Sequence, residues 1–512
     1  MKTHTKKFLF NPATKYLINI FCFLIIIIAV CTSFSAIMTD RSLWLDEAML
    51  AYSFSTRSLG NLTSDIFEWN QSAPVLYLYI VKIITSVAGN TELTLRLWSF
   101  ISFILLIISG YYIFNRLLKV RFPLLATAFI SNLAILIRYS FEFKPYMNDC
   151  FWVLFVIILY YLCNNQKINR YVFVLSYCIV IWLSNPACFL IASIFIFEFI
   201  GGITYKDYSK VKFIAIGGFI ICLSFLAYYL YWLKPVIDGG EMLHYWNENN
   251  LNLAVGNISE LKAQVMLLGN ILKPIGFFRF LILPVVLVGI VVNIKKGGNK
   301  YITIISGGIL ITFLVSMFKM YPIERRLYLF IYPLVSILAF YFIDKLYSHN
   351  KFANVLVLIF SFVILLSTDG IIVYNKKGNI FQKNEETDFA VKYVEDNIKE
   401  SEKLYVYYSS VPGFCYKNNF DTLHIGTKEN NNVILGKGFF SAGKNEEDIK
   451  KVINNAPIYI LTSHTNIDTL RITPLFDSLR VNGSLSVVFD EYDTKVYYYR
   501  NEEINEPPMK AK

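Results

Sequence analysis

The stretch that decides the fold is 17-LINIFCFLIIIIAVCTSFSAIM-38, which runs directly into 39-TDRSLWLDEAML-50. Residues 17–38 carry no charged side chain. At about 1.5 Å per residue, a helix of this length covers the ~30 Å hydrocarbon layer of a bilayer. It is long for the apolar core of a cleaved leader, which favours a retained helix. The segment predicts a membrane-spanning helix with an acidic pair, Asp46 and Glu47, just beyond its end.

The composition extends this prediction to most of the chain. Of the 512 residues, 55% are hydrophobic and 17% are charged, and the mean hydropathy is +0.48. Soluble domains carry about 25% charged residues, so the chain is an integral membrane protein by composition. The apolar blocks predict about eleven transmembrane helices, near 17–38, 95–114, 122–138, 147–163, 171–185, 187–203, 212–232, 276–294, 301–318, 326–343 and 352–374.

The connections between these blocks sort by charge. Every second connection, starting from the N-terminus, is short and basic; together these hold 17 Lys and Arg against two acids, Asp207 and Asp344. Basic loops remain in the cytoplasm, so the N-terminus is predicted to lie on the cytoplasmic side of the cell (inner) membrane. The other side then holds 39–94, 138–146, 233–275, 319–325 and everything after 374. The net charge of +11 belongs to the membrane part, which leaves no soluble basic face for nucleic acid.

Residues 375–512 change character and predict a soluble α/β domain on the non-cytoplasmic side. Helical patterns cover 385–399 and 445–454, strand patterns cover 404–410 and 458–463, and 487–499 reads as a hairpin turning at 490–493. The domain division is therefore 1–374 for the membrane part, with the first external loop 39–94 containing interfacial helices, and 375–512 for the external domain. Acceptor recognition is a possible role of that domain, and its many tyrosines suit sheet packing as well as carbohydrate binding.

The acidic pair is the first candidate for chemistry. A carboxylate at the membrane boundary, with Trp44 and apolar residues around it, can accept a proton from an acceptor hydroxyl. The alternative is the start of an interfacial helix, where Asp and Glu favour the N-terminus.

Two further external segments carry polar groups. The segment 70-NQSAPVLY-77 leads into an apolar stretch too short to span, which predicts an interfacial helix over 74–88; a tilted transmembrane segment is the alternative. In 138-RYSFEFKPYMND-149, Lys144 precedes a proline, which favours extended backbone and lets its ammonium reach a phosphate. Glu142 and Tyr146 flank it. A snorkelling lysine at a helix end is the alternative.

The segment 319-KMYPIERR-326 places Arg325 and Arg326 on the predicted external side, against the usual charge bias. A phosphate is the natural reason, because a guanidinium binds it through two parallel hydrogen bonds. Pairing with Glu324 or Asp46 is the alternative.

Taken together, LWLDEA, NQSAPVLY, RLWSF (96–100), EFKPY (142–146) and ERRLYLF (324–330) resemble the GT-C superfamily of membrane glycosyltransferases. They are most similar to the glycosyltransferase family 39 group, which includes protein O-mannosyltransferases and lipid A aminoarabinose transferases. The resemblance covers about residues 15–345. It implies that Asp46, with Glu47 beside it, supplies the catalytic base.

The same resemblance implies that Lys144, Tyr146 and Arg325, with Arg326 adjacent, bind the donor phosphate. One departure is clear: the family's His-Pro-Pro-Leu-Tyr type of motif is 72-SAPVLY-77 here. The role of that histidine is lost or has moved to Gln71 or His244. Tyr77 and Glu142 are further candidates for contact with substrate.

The predicted function is transfer of a sugar, with inversion, from a polyprenyl-phosphate donor to a lipid, glycan or protein acceptor on the non-cytoplasmic face. The alternatives are a permease or flippase for lipid-linked sugars, an assembly subunit, and a polysaccharide polymerase or ligase. No ligand spacing indicates a metal site, although the external carboxylates could hold a divalent ion. The eight cysteines lack paired spacing and suit buried apolar positions.

Overall fold

The structure is a computed structural model, and it describes residues 12–39, 41–239, 257–275, 279–347, 351–367, 385–418, 432–436, 445–465 and 469–501. The chain divides into two compact units. The first comprises Met1–Thr39 and Ser72–Ile380, and the second comprises Asp40–Gln71 and Phe381–Lys512. The loop after the first helix is thus grouped with the C-terminal residues. The predicted domain boundary at 374 lies outside the described residues.

The first unit is helical. The described helices outside the second unit are α1 (Pro12–Ile37), α3 (Val75–Ala88), α4 (Glu92–Tyr112), α5 (Pro123–Ser131), α6 (Ala134–Tyr139), α7 (Tyr146–Asn164), α8 (Arg170–Leu183), α9 (Ala187–Thr204), α10 (Tyr208–Tyr228), α11 (Lys234–Asp238), α12 (Ile258–Leu272), α13 (Arg279–Lys295), α14 (Lys300–Met317), α15 (Ile331–Leu346) and α16 (Lys351–Ser367). Wider π-helical turns continue α4 over Ile113–Leu117 and α10 over Tyr229–Leu233.

Within the described ranges, six helices are long and apolar enough to cross a membrane: Pro12–Ile37, Glu92–Leu117, Tyr146–Asn164, Ala187–Thr204, Tyr208–Asp238 and Lys300–Met317. The chain is therefore a multi-pass membrane protein, as its apolar blocks predict. The total of eleven spans stays a prediction. The block at 122–138 forms two short helices, α5 and α6, instead of one. At the end of α5, the side-chain amide of Asn132 donates to the carbonyl of Leu365 at 3.2 Å.

The second unit combines helix α2 (Leu45–Thr56) with a mixed sheet and its helices. The described strands are β1 (Lys403–Val406), β2 (Val433–Leu435), β3 (Ile458–Ser463), β4 (Gly483–Glu491) and β5 (Thr494–Asn501), in the spatial order β2-β1-β3-β5-β4. The first three are parallel, and β5 runs antiparallel to both of its neighbours. The accompanying helices are α17 (Thr387–Asn397), α18 (Val411–Asn418), α19 (Asn445–Asn454) and α20 (Thr469–Asn482).

Helix α2 packs into the core of this unit. Its Tyr52, only 6% exposed, belongs to one apolar cluster with Val394, Val406, Phe414 and Val496 from the C-terminal domain. Burial of an aromatic side chain of this size is a large apolar contribution to stability. The helix that carries the acidic pair is therefore held by residues more than 300 positions later in the chain.

Candidate active site

The acidic pair lies in the first turn of α2, where the helix dipole favours negative charge. The two carboxylates differ in environment. Glu47 is fully buried, and its Oε2 lies 4.0 Å from Nη2 of Arg41, which is itself buried. Asp46 is only half-buried. The helix start considered above as the alternative is present, and it is compatible with a base because Asp46 keeps access to solvent.

Gln71 lies beside the same helix. Trp69 and Asn70 precede it with φ of 52° and 51°, a left-handed conformation that is strained for a bulky residue such as tryptophan. The Trp69 ring packs edge-on against Tyr52 at 5.6 Å. The amide Nε2 of Gln71 is 3.5 Å from Sδ of Met49, one helical turn after Asp46. A polar side chain thus lies next to the turn that carries the candidate base.

Arg57, at the end of α2, was not singled out from sequence and has a structural role. Its guanidinium donates to the carbonyls of Asp65 at 2.6 Å and Ile66 at 2.8 Å and lies 4.5 Å from the centre of the Phe67 ring. Partial burial lowers the pKa of Arg57. These contacts close the loop from 57 to 67.

In the first unit, the segment 138–146 is anchored to α4. The Ser99 hydroxyl donates to the carbonyls of Glu142 at 2.7 Å and Lys144 at 3.3 Å. The Glu142 carboxylate is 1% exposed and accepts from Nε of Arg138 at 3.2 Å. Lys144 is 5% exposed, so it is not a snorkelling lysine on the surface. Both charged groups lie in surroundings where electrostatic interactions are strong.

Tyr77 and Tyr146 frame this segment with aromatic rings. Tyr77, in α3, is fully buried and stacks on Phe143 at 6.4 Å. Tyr146 is the first residue of α7, and its ring lies 5.4 Å from that of Tyr139. The indole of Trp232 donates to the carbonyl of Ala73 at 2.8 Å, which fixes the chain just before α3.

The segment before α15 carries the paired arginines. Arg325 is exposed, whereas Arg326 is half-buried. The Tyr321 hydroxyl donates to the carbonyl of Leu327 at 2.9 Å and closes the turn. Both arginines therefore stand on an ordered turn ahead of the helix.

Electrostatic neighbours connect this turn to the segment 138–146. Tyr139 lies within electrostatic range of Glu324 and Tyr332, and Tyr332 lies within range of Arg325. Within the first unit, one residue of each cation-bearing segment, Tyr139 and Glu324, thus lies within electrostatic range of the other.

The candidate residues therefore fall into two groups. Asp46, Glu47 and Gln71 belong to the second unit, and the phosphate candidates belong to the first, together with Tyr77 and Glu142. His244 lies outside the described residues. Among the described residues, no group of three or more His, Cys, Asp or Glu side chains is arranged to hold a metal ion.

Two polar residues in α7 were overlooked in the sequence. Asn148 is fully buried and accepts from the indoles of Trp98 at 3.0 Å and Trp152 at 2.9 Å, while its amide donates to the carbonyl of Leu183 at 2.6 Å. Asp149 beside it is 7% exposed. The sequence feature that could have pointed to them is an Asn-Asp pair inside an apolar block. Polar residues in membrane-spanning segments are energetically costly and often functional.

Comparison with solved structures identifies the fold. The chain matches ArnT from Cupriavidus metallidurans bound to undecaprenyl phosphate, with a TM-score of 0.52 and 13% identity over 93% of this chain and 97% of that one. It also matches apo ArnT from the same organism, with a TM-score of 0.51 and 12% identity over 95% and 98%. No family model and no curated protein matches the chain. The likeness shows a GT-C fold, which confirms the fold that the motifs predict.

Proposed function

We propose that the protein is a membrane glycosyltransferase that moves a sugar from a polyprenyl-phosphate carrier to a lipid, glycan or protein acceptor on the non-cytoplasmic face. The observation that carries the proposal is the half-buried carboxylate of Asp46 in the first turn of α2, in a chain with a GT-C fold. The solved ArnT structure with undecaprenyl phosphate supports a donor of this lipid class.

The proposed reaction is a single displacement at the anomeric carbon. Asp46 takes the proton of the acceptor hydroxyl while the acceptor oxygen forms its bond to the anomeric carbon. The bond from that carbon to the phosphate oxygen breaks, and its electron pair leaves with the polyprenyl phosphate. Attack from the opposite face inverts the configuration. The leaving phosphate is already a stable anion, so a general acid is not required.

The cationic residues of the first unit are proposed to act on the phosphate of the donor. Lys144, Arg325 and Arg326, with the Tyr146 hydroxyl, would bind the donor phosphate and stabilise the charge that grows on it as the bond breaks. The burial of Lys144 strengthens such an interaction, because a buried charge is screened less by water. One donor placed in this way contributes about 2.7–4 kcal/mol to lowering the barrier.

The remaining candidates are proposed to support the site or to contact the substrate. Glu47, buried against Arg41, would hold the first turn of α2 in place, while the base itself is Asp46. Gln71, Tyr77, Glu142 and His244 are proposed contacts with the sugar or the acceptor.

The test is Asp46→Asn in the purified full chain, assayed with a radiolabelled polyprenyl-phosphate sugar and mass spectrometry of the product. Loss of a general base lowers turnover by about 10²–10⁴-fold. The matched control is Asp65→Asn, an exposed acid in the same loop, which should leave turnover unchanged.

Undiminished turnover by the Asp46→Asn protein would refute its assignment as the base. In vesicles reconstituted with the full chain, movement of the labelled lipid across the bilayer without any glycosidic product would favour a permease or flippase. A product lengthened by a whole oligosaccharide would instead favour a polymerase or ligase.

A further inference from the structure

The first unit contains an open groove of about 1260 Å³ at the ends of α7, α8, α9 and α10. The chain turns twice here, between α7 and α8 and again between α9 and α10. Helix α7 is 19 residues long, so this end lies roughly 28 Å along the helix from Tyr146 at its start. The groove is therefore separate from the segment 138–146 of the candidate active site.

The rim of the groove is cationic. Its lining includes Lys167 from the connection between α7 and α8, Arg170 from the start of α8 and Lys212 from the start of α10. All three side chains are exposed. Neither Lys167 nor Lys212 forms an ion pair with any residue that the structure describes. The Arg170 guanidinium lies 5.7 Å from the centre of the Phe213 ring, which holds it at the rim.

The acids in the lining are already engaged. Glu198 is 6% exposed, accepts a hydrogen bond from the Tyr160 hydroxyl and forms an ion pair with Lys210. Asp207 caps α10 by accepting from the backbone N–H of Lys210 at 3.0 Å. The lining holds four cationic side chains, Lys167, Arg170, Lys210 and Lys212, against these two carboxylates, so the rim keeps an excess of positive charge.

Below the rim, the walls are apolar. Leu175 of α8 and Ile216 and Ile220 of α10 line the groove and remain exposed. Tyr171 and Phe213 pack edge-on at 6.4 Å where the rim meets the walls. A groove between membrane helices that changes from cationic to apolar along its length matches the order of chemical groups in an anionic lipid.

We propose that this groove binds an anionic phospholipid of the leaflet on that side, with the lipid phosphate among Lys167, Arg170 and Lys212 and an acyl chain along α8 and α10. Basic pockets between transmembrane helices bind such head groups through charge and hydrogen bonds. The apolar walls select a lipid over a free phosphate ion. This lipid is a resident ligand and is distinct from the proposed sugar donor.

The test uses the purified full chain in detergent, with native mass spectrometry during titration with dioleoyl-phosphatidylglycerol or dioleoyl-phosphatidylcholine. The wild type should bind the anionic phosphatidylglycerol more tightly than phosphatidylcholine. The variant Lys167→Gln/Lys212→Gln should weaken its apparent affinity by about 30-fold, which corresponds to about 1 kcal/mol for each lysine near an anionic surface. All substituted side chains are exposed, so folding should be preserved.

The matched control is Lys295→Gln/Lys296→Gln, an exposed lysine pair at the C-terminal end of α13 that does not line the groove. It should bind phosphatidylglycerol like the wild type. Equal loss in both double variants would reduce the effect to general surface charge and overturn the proposal. Displacement of the lipid by excess inorganic phosphate, or equal binding of phosphatidylcholine, would overturn it as well.

Discussion

At the residue scale, two adjacent carboxylates have different surroundings. Asp46 and Glu47 are neighbours in the sequence, but in a helix adjacent side chains point about 100° apart. Glu47 therefore turns into the core of the second unit towards Arg41, while Asp46 stays partly open to solvent. A base needs access to its substrate, so we propose the role of base for Asp46 and a structural role for Glu47.

The buried partner gives a stability prediction. Glu47→Gln removes the negative charge from the buried Arg41–Glu47 pair, and breaking a buried ion pair costs about 3–5 kcal/mol. The apparent midpoint of thermal unfolding of the purified protein should fall. Glu68→Gln, at a half-buried position of the same loop, should leave the midpoint nearly unchanged. Equal midpoints for Glu47→Gln and wild type would show that the ion pair contributes nothing to stability.

The exposed arginine gives a prediction for the donor. Arg325→Ala should weaken binding of the polyprenyl-phosphate sugar and lower turnover by about 10²–10³-fold, because one phosphate-stabilising donor is lost. Arg325→Lys should recover part of the loss, since lysine keeps the charge but not the two-pronged geometry. Donor titration with purified enzyme measures both effects.

Arg116→Ala is the matched control, because Arg116 is an exposed arginine in the π-helical turn after α4 and was never a phosphate candidate. Donor affinity that is the same for Arg325→Ala and wild type would exclude Arg325 from the phosphate site.

At the element scale, α2 depends on the C-terminal domain. Apolar residues occupy most of its surface, and Tyr52 shares a core with strands and helices after residue 390. An isolated helix of twelve residues is marginal in water, so tertiary packing supplies its stability. The position of the candidate base is thus coupled to the folding of a domain that was predicted to serve acceptor recognition.

This coupling can be measured by proteolysis. Tyr52→Ala removes a buried aromatic ring, at a cost of about 3–5 kcal/mol, and should expose the loop after α2 to trypsin at Arg57. Cleavage within residues 40–71, followed by mass spectrometry, should be faster than in the wild type. Tyr492→Ala, which removes an exposed tyrosine in the same unit, should not change the rate. Identical cleavage of the Tyr52→Ala protein and the wild type would show that α2 does not rely on this packing.

The elements of the C-terminal domain show where sequence patterns succeed and fail. The helix at 445–454 and the strand at 458–463 occur as predicted, because each has a clear periodicity and a defined end. The strand predicted at 404–410 stops at Val406, and the chain turns into α18. Helix α20 was missed because Pro474 lies inside it, and an internal proline normally argues against a helix.

At the scale of the whole molecule, the GT-C fold is recognisable at 13% identity to a solved structure. A shared fold at this sequence identity does not establish the reaction, because one fold supports many functions. The reaction has to be argued from the residues of the site. The proposed reaction therefore depends on Asp46 and on the cations of the first unit, and the groove between α8 and α10 adds a separate lipid site.

The sequence by itself determined the membrane class, the approximate positions of the six described helices that are long enough to span a membrane, and the identity of the candidate groups. These follow from local composition and periodicity, which are readable within a window of about twenty residues. Only the tertiary structure decided that Glu47 is buried while Asp46 is half-open, that Asn148 joins two indoles, and that α2 packs with strands far along the chain. Contacts such as those of Asn148 with Trp98 and of Tyr52 with Val496 join residues distant in sequence. A local pattern carries no information about which distant side chains will surround it.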